Sequence, residues 1–557
     1  MAVPRLTLLD APPPAAGLPT RADVALFVGL VPRGADALPD DLRATLEAAG
    51  WAGAGPYARP PAQVDALLDV PVAVESWSAF EALYAWDARI TQAGATGTLP
   101  CALGLAVKAF FDEGGAKAWI VRTGDPLPLV TADPPATVAA AKRQLISPSP
   151  APAPAPGPGP APAPAVVDRV AIIPGWIGTA GSGDPQSPAT WHGYEHVFGL
   201  DDVALLLLPD LPELLAPAPE PISPPAGPLP AAETWKTCAP AAPDLTPDDR
   251  TARPAVAAPR LDRAGYRDWG SAITFVLGQL SPADTSAQRR DVMVVAALPL
   301  PSTDPGAVPA RSAAWPLALL SEPGIAVAGQ SLFDSIPGAR LQLAYPWVQT
   351  AASVDLPEGL QSPDGVLAGV LARSALAMGA FRAAAGLPTT SVRQLVPALG
   401  TGDIERGLPG GVADWLGDRL TLLGEKTGRF VLLSDATLAA SLAWRAGGTS
   451  RLMGVILRAA RWLGTQRLFD ASGPALWASM RRDIEALLES LRAAGALDGA
   501  RPADAYEVRC DSSTMTRADI DAGRLIVRVA VNPTQPVGWI TVALAFGGAV
   551  GSLQEAA

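Results

Sequence analysis

Histidine and cysteine are scarce in this chain of 557 residues, which holds two His and three Cys. Cys101, Cys238 and Cys510 are far apart, odd in number and without metal-type spacing, so they read as buried free thiols in a reducing compartment rather than a disulfide framework. His192 and His196 stand in the stretch HGYEH. On a helix their i, i+4 spacing would turn both towards one metal ion. Gly193 between them weakens a helix, and a third ligand would have to come from Asp201, Asp202 or Glu195. Two ordinary histidines beside a loop are the expectation. A Ser-His-Asp triad needs an oriented His and a positioned Ser, and no G-x-S-x-G elbow accompanies these two. Neither G-x-x-x-x-G-K-[ST] nor a strand followed by G-x-G-x-x-G occurs. Carboxylate pairs such as Asp201 with Asp202 and Asp248 with Asp249 read as solvated surface or helix N-terminal charge. No catalytic, cofactor-binding or metal residue is therefore expected, no cofactor, and no enzyme.

Positive charge is also in deficit. Forty-two basic residues face 54 acidic ones, for a net charge of -12, and no run of Lys or Arg stands out. A nucleic-acid binder would show a basic face. The 15 Trp are scattered and not interleaved with basic residues, which argues against base stacking. No stretch of about 18 apolar residues free of charge or Pro occurs, so no membrane span is expected. Met1–Asp10 lacks a charged start followed by a long apolar run, so no secretory signal is expected either.

What the chain has is apolar surface: 49% hydrophobic residues and a mean hydropathy of +0.22. That suffices for sizeable cores, and the length implies two or more domains. After a Pro- and Ala-rich start, Asp23 to Leu30 (DVALFVGL) reads as a strand apolar on both faces. Ser76 to Tyr84 reads as a helix start with Ser76 or Ser78 as N-cap. Leu103 to Phe111 is a helix stopped by Gly114 and Gly115, and Ala116 to Arg122 a strand. The alternating Pro and Ala of residues 147–165 form a semi-rigid spacer. Beyond it, Arg169 to Ile173, Val203 to Leu208 and Asp291 to Leu298 read as buried strands, with a helix over Tyr266 to Leu280. Ala216 to Pro259 reads as a long surface loop. Later come helices over Gly365 to Ala384, Ser450 to Gly464 and Arg481 to Ala494. In the last, Ile484, Leu487, Leu488 and Leu491 fall on one face. Phe430 to Leu433 is a short strand, and Arg524 to Val531 alternates as a half-buried strand does.

Leu103 to Arg122 (LGLAVKAFFDEGGAKAWIVR) resembles the helix, Gly-Gly, strand unit of contractile tail sheath proteins, and Asp23 to Gly29 resembles their N-terminal strand. Arg481 to Phe546 resembles the sheath C-terminal domain, through the amphipathic helix, the strand Ala505 to Cys510, the Asp-rich turn Thr516 to Gly523, and Leu525 to Val531 followed by Pro533 and Pro536. Gln342 to Trp347 (QLAYPW) and Pro363 to Gly369 are also similar. The chain departs from the pattern after its last Pro, where Val537, Gly538 and Trp539 stand in place of an acidic residue and an aromatic. The style is nearest to sheaths of extracellular contractile injection systems.

The resemblance implies an α/β and α+β multidomain fold: a sheath-like inner C-terminal α+β domain, an inserted α/β outer domain, and N- and C-terminal strand arms. The implied division is 1–30 arm and strand, 31–146 first part of the sheath core, 147–165 linker, 166–360 inserted outer domain, 361–440 return to the core, and 441–557 C-terminal domain. It implies a subunit that polymerises in stacked hexameric rings around an inner tube protein, with baseplate and terminator proteins as further partners. Assembly would be cytoplasmic, then part of a phage-tail-like particle. The last strand, Val537 to Phe546, is apolar on both faces. It is either a central strand of its own domain or a strand that completes a neighbour's sheet. The same logic applies to Asp23 to Leu30. The candidate inter-subunit residues are Val24, Leu26, Val28, Trp539, Ile540, Val542 and Leu544. The alternatives are a non-contracting sheath paralogue or cap protein, and an α/β enzyme or binding module on the middle region.

Overall fold

The computed structural model describes residues 21–147, 169–177, 183–219, 256–281, 289–302, 338–399, 416–534, 540–546 and 553–554, apart from 54, 93, 95, 468, 469, 472 and 522. The predicted N-terminal arm, the Pro/Ala spacer and most of the predicted loop at 216–259 lie outside the described residues.

The body is built on one eight-stranded sheet. Its strands are β1 (Ala25–Leu30), β2 (Val72–Val74), β3 (Ala118–Gly124), β4 (Leu205–Leu207), β5 (Met293–Ala297), β6 (Leu341–Tyr345), β7 (Thr421–Lys426) and β8 (Arg429–Leu432), in the order β8-β7-β6-β5-β4-β1-β3-β2. The six inner strands run parallel, and β2 and β8 pair antiparallel at the two edges. Parallel sheets need cover on both faces, which is why the strands read as continuous apolar runs. All six residues of β1 are buried. Leu26 and Val28 point into one core with Tyr266, Trp269 and Ile273, while Ala25 and Phe27 point into the other with Phe110 and Val366. Phe27 and Phe110 meet edge to face at 5.5 Å.

Two expectations are corrected here. β1 is hydrogen-bonded to β3 on one side and β4 on the other, so neither of its edges is free for another subunit. Val24, Leu26 and Val28 are core residues of their own chain's sheet. The outer segment 166–360 is likewise no separate module, because its strands β4, β5 and β6 continue the sheet begun by β1 and β3. A smaller correction concerns Arg169 to Ile173, which forms no strand. Its amides donate elsewhere: Val170 to the Thr123 carbonyl, Ile172 to Leu145 and Ile173 to Ile146.

Helices α1 (Trp77–Leu83), α2 (Ala102–Asp112), α3 (Pro135–Ile146), α4 (Leu211–Leu215), α5 (Arg263–Leu280) and α6 (Asp364–Met378) surround the sheet. Ser76 caps α1 by accepting from the Ala79 amide. The Gly-Gly turn after α2 has a steric cause. Gly114 has φ +102°, and a Cβ on Gly115 would sit 2.2 Å from the Phe110 ring. Helices α2 and α6 cross backbone to backbone, since a Cβ on Gly365 would lie 2.3 Å from the Ala106 carbonyl oxygen and one on Gly369 2.6 Å from that of Phe110. Backbone cannot move aside as a flexible side chain can. Gly365→Ala is therefore expected to destabilise the protein by about 1–3 kcal/mol, read by urea denaturation.

One edge of the large sheet is covered and the other is short. Residues 386–389 lie along β8, with the Thr389 amide on the Phe430 carbonyl and the Leu432 amide on that of Leu387. The opposite edge, β2, is three residues long.

A second core lies towards the C-terminus. A four-stranded antiparallel sheet is formed by β9 (Tyr506–Arg509), β10 (Leu525–Val531), β11 (Ile540–Phe546) and β12 (Leu553–Gln554), and helices α7 (Gly447–Gln466) and α8 (Pro474–Ala493) pack on β9 and β10. Leu525, Val527, Val529 and Val531 of β10 face this core and Arg528 faces water. Ile484, Leu487 and Leu488 are the buried stripe of α8, which begins seven residues before the predicted start because Pro474 suits a first helical turn.

Candidate functional site

The C-terminal sheet is where the candidate inter-subunit residues fall. Ile540, Val542 and Leu544 lie in β11, opposite Val531, Val529 and Val527 of β10. Trp539 lies outside the described residues. Within a single chain β11 thus pairs with its own β10, and β12 pairs along the other side of β11. Eight residues separate Val531 from Ile540, more than the two to five of a tight hairpin. The start of that connection is pinned, by the Asp498 amide on the Asn532 carbonyl and the Asn532 amide on that of Ala505.

Beneath the sheet, α7 joins this unit to the body through two buried charge clusters. Asp291, just before β5, is fully buried. Its carboxylate accepts from Arg289 Nε at 3.1 Å and pairs with Arg461 at 2.9 Å, while Arg458 donates to its carbonyl at 2.8 Å. Burial alone would raise the Asp291 carboxyl, and the charges of Arg289, Arg461 and Arg458 reverse this and hold it well below the usual carboxylate range. Burial pushes Arg458 down to about 10. Gly454 lets α7 approach, since a Cβ there would be 2.8 Å from the Asp291 carbonyl oxygen. In the second cluster Asp435 takes Arg451 at 2.6 and 2.9 Å, Gln342 of β6 at 2.8 Å and the Ala384 amide at 2.8 Å. Arg451 also donates to the Ala380 and Arg382 carbonyls. Ion pairs buried in this way fix orientation more than they add stability.

The histidines come together, but on a carboxylate. His192 Nδ1 lies 2.6 Å and His196 Nε2 2.9 Å from the Asp69 oxygens, which also accept the Gly193 amide at 2.9 Å. Glu195 accepts the Gly183 and His192 amides, and burial raises its carboxyl to about 7. His196 stands in a 3-10 turn, Gly193–Gly199, with His192 at its N-cap, and neither is on an α-helix. Among the described residues no group of three His, Cys, Asp or Glu could hold a metal ion. The cluster ties Asp69 to residues 192–196. Sequence reading missed Asp69, which lies 123 residues from His192 and has no local signature.

No protein-family model matches this sequence, and no curated protein is significantly similar to it. Solved structures do match. A chain of the anti-feeding prophage baseplate in its contracted state aligns over 97% of this chain and 97% of its own, with a TM-score of 0.51 and 18% identity. The two chains share one fold. The helical sheath of the same prophage in the contracted state aligns over 97% of this chain and 98% of its own at a TM-score of 0.47 and 16% identity. A sheath tail protein from Desulfitobacterium hafniense aligns over 53% of this chain and 63% of its own at 0.31 and 10% identity. Among the described residues no helix is long and apolar enough to cross a membrane.

Proposed function

We propose that this protein is a structural subunit of a contractile tail sheath, polymerising around an inner tube and shortening to drive it through a target envelope. The observation that carries this reading is the fold shared, end to end, with a chain of a contracted particle. The C-terminal sheet adds to it. β11 is the strand whose long connection permits it to leave β10 of its own chain for β10 of the next, and such a head-to-tail contact propagates into a tube. In this reading residues 441–557 form the inner assembly domain, and the bodies rotate on strand tethers. The work comes from differences in subunit packing. Tube, baseplate and terminator proteins are the partners, and assembly precedes incorporation into a phage-tail-like particle.

The paired residues supply the test. Val529→Cys with Val542→Cys places two thiols in register. Oxidised after coexpression with the particle's tube protein, exchanged strands give a ladder of covalent multimers on non-reducing denaturing gels. Strands kept at home give crosslinked monomer only, which refutes exchange. Electron microscopy of the same sample tests contraction, expected as tubes of two lengths and two widths. A non-contracting, baseplate-adjacent relative is the second reading, favoured because the matched chain belongs to a baseplate. It predicts short caps or single rings.

A further inference from the structure

At β1 the strand order changes direction, with β3 on one side and β4 on the other. Open parallel sheets place ligand crevices at the carboxyl ends of strands that diverge in this way. A cavity of about 480 Å³ opens there, within the usual range for small-molecule sites. Leu30, Leu105, Leu127, Val138, Leu214 and Trp347 give it apolar walls.

Most of its buried polar groups are occupied, Gln361 Nε2 being one that is not. Arg89 forks onto the Glu213 carboxylate and donates to the Leu127 carbonyl. Lys142 Nζ donates to the carbonyls of Glu213, Ala216 and Pro217. Asp210 differs. It is 5% exposed, and its Oδ2 accepts the Leu30 amide at 2.8 Å. Its Oδ1 has no hydrogen-bond partner among the described residues. The carboxylate reaches this place because residue 29 is glycine: a Cβ there would lie 1.9 Å from Asp210 Oδ2. Burial, with Glu213 and Asp364 nearby, raises the Asp210 carboxyl to about 7 against the opposing effects of the Leu30 amide and Arg89. A cationic donor on Oδ1 would relieve that cost.

We propose that this cavity is a binding site for a small amphipathic amine, with its apolar frame on the leucines and Trp347 and its ammonium group on Asp210. Above about pH 7 the Asp210 carboxyl is ionised and accepts only, so there the ligand must donate and an anion of the same shape is disfavoured. The site is independent of the assembly role.

Titration calorimetry of the full chain with three indoles of one frame tests it. Tryptamine is expected to bind saturably, tryptophol more weakly, and indole-3-acetate not at all. Asp210→Asn keeps an acceptor for the Leu30 amide and is expected to weaken tryptamine by about tenfold or more, the equivalent of one lost charge-assisted contact. The proposal is overturned if tryptamine gives no saturable heat, if indole-3-acetate binds as tightly, or if the folded Asn variant binds tryptamine unchanged. The first two results need no variant.

Discussion

Asp291→Ala is expected to cost about 3–5 kcal/mol, because it leaves Arg289, Arg458 and Arg461 buried around a missing counter-charge. Against a total stability of about 5–15 kcal/mol, that is a large fraction. The loss falls on the joint, since Arg458 and Arg461 belong to α7 and Asp291 to the approach to β5. Calorimetry should therefore resolve two transitions where the parent shows one, with the C-terminal unit melting first. A parent-like single transition would count against the joint. The pH dependence follows from the same cluster. The carboxyls of Asp291, Asp69 and Asp435 are all held low in the folded chain. Their contribution is complete above the unfolded value of about 4 and is lost as pH falls below it. The Ala variant is expected to lose the Asp291 share of that acid sensitivity.

Removal of the residues after Pro536 is expected to abolish assembly altogether. It takes away β11 and β12 and bares one edge of β10 along its whole length. An open edge beside Val527 and Val529 invites unordered association, so the variant should be soluble monomer or amorphous aggregate. Ordered tubes of the truncated chain in electron micrographs would refute a role for β11 in joining subunits. A synthetic peptide spanning 537–557 offers a complementary arm, because a bared β10 should capture it by strand addition.

Local pattern carried much of the fold. The alternation of β10, the stripe on α8 and the α2, Gly-Gly, β3 unit were legible because each is written in one short window. Neighbour identity was not. A strand apolar on both faces looks the same at the centre of its own sheet as in another subunit's, and only the pairing of β1 with β3 and β4 separates the two readings. β6 escaped notice as a strand because Gln342 interrupts its apolar run. That amide is satisfied by Asp435, 93 residues away. The joint was equally hidden, with Asp291 and Arg458 separated by 167 residues. Buried charge is recognisable in sequence only when its partner lies within a turn or two.

The covered edge and the short edge of the large sheet bear on how copies of this chain would meet if they assemble as proposed. With residues 386–389 laid along β8 and only three residues in β2, the large sheet offers at most a three-residue edge to an added strand. Freshly made chains would then have little sheet edge by which to stick body to body. Under the proposed strand exchange, recruitment would fall to the small C-terminal sheet, and the timing of growth would pass to whatever nucleus first presents a matching strand.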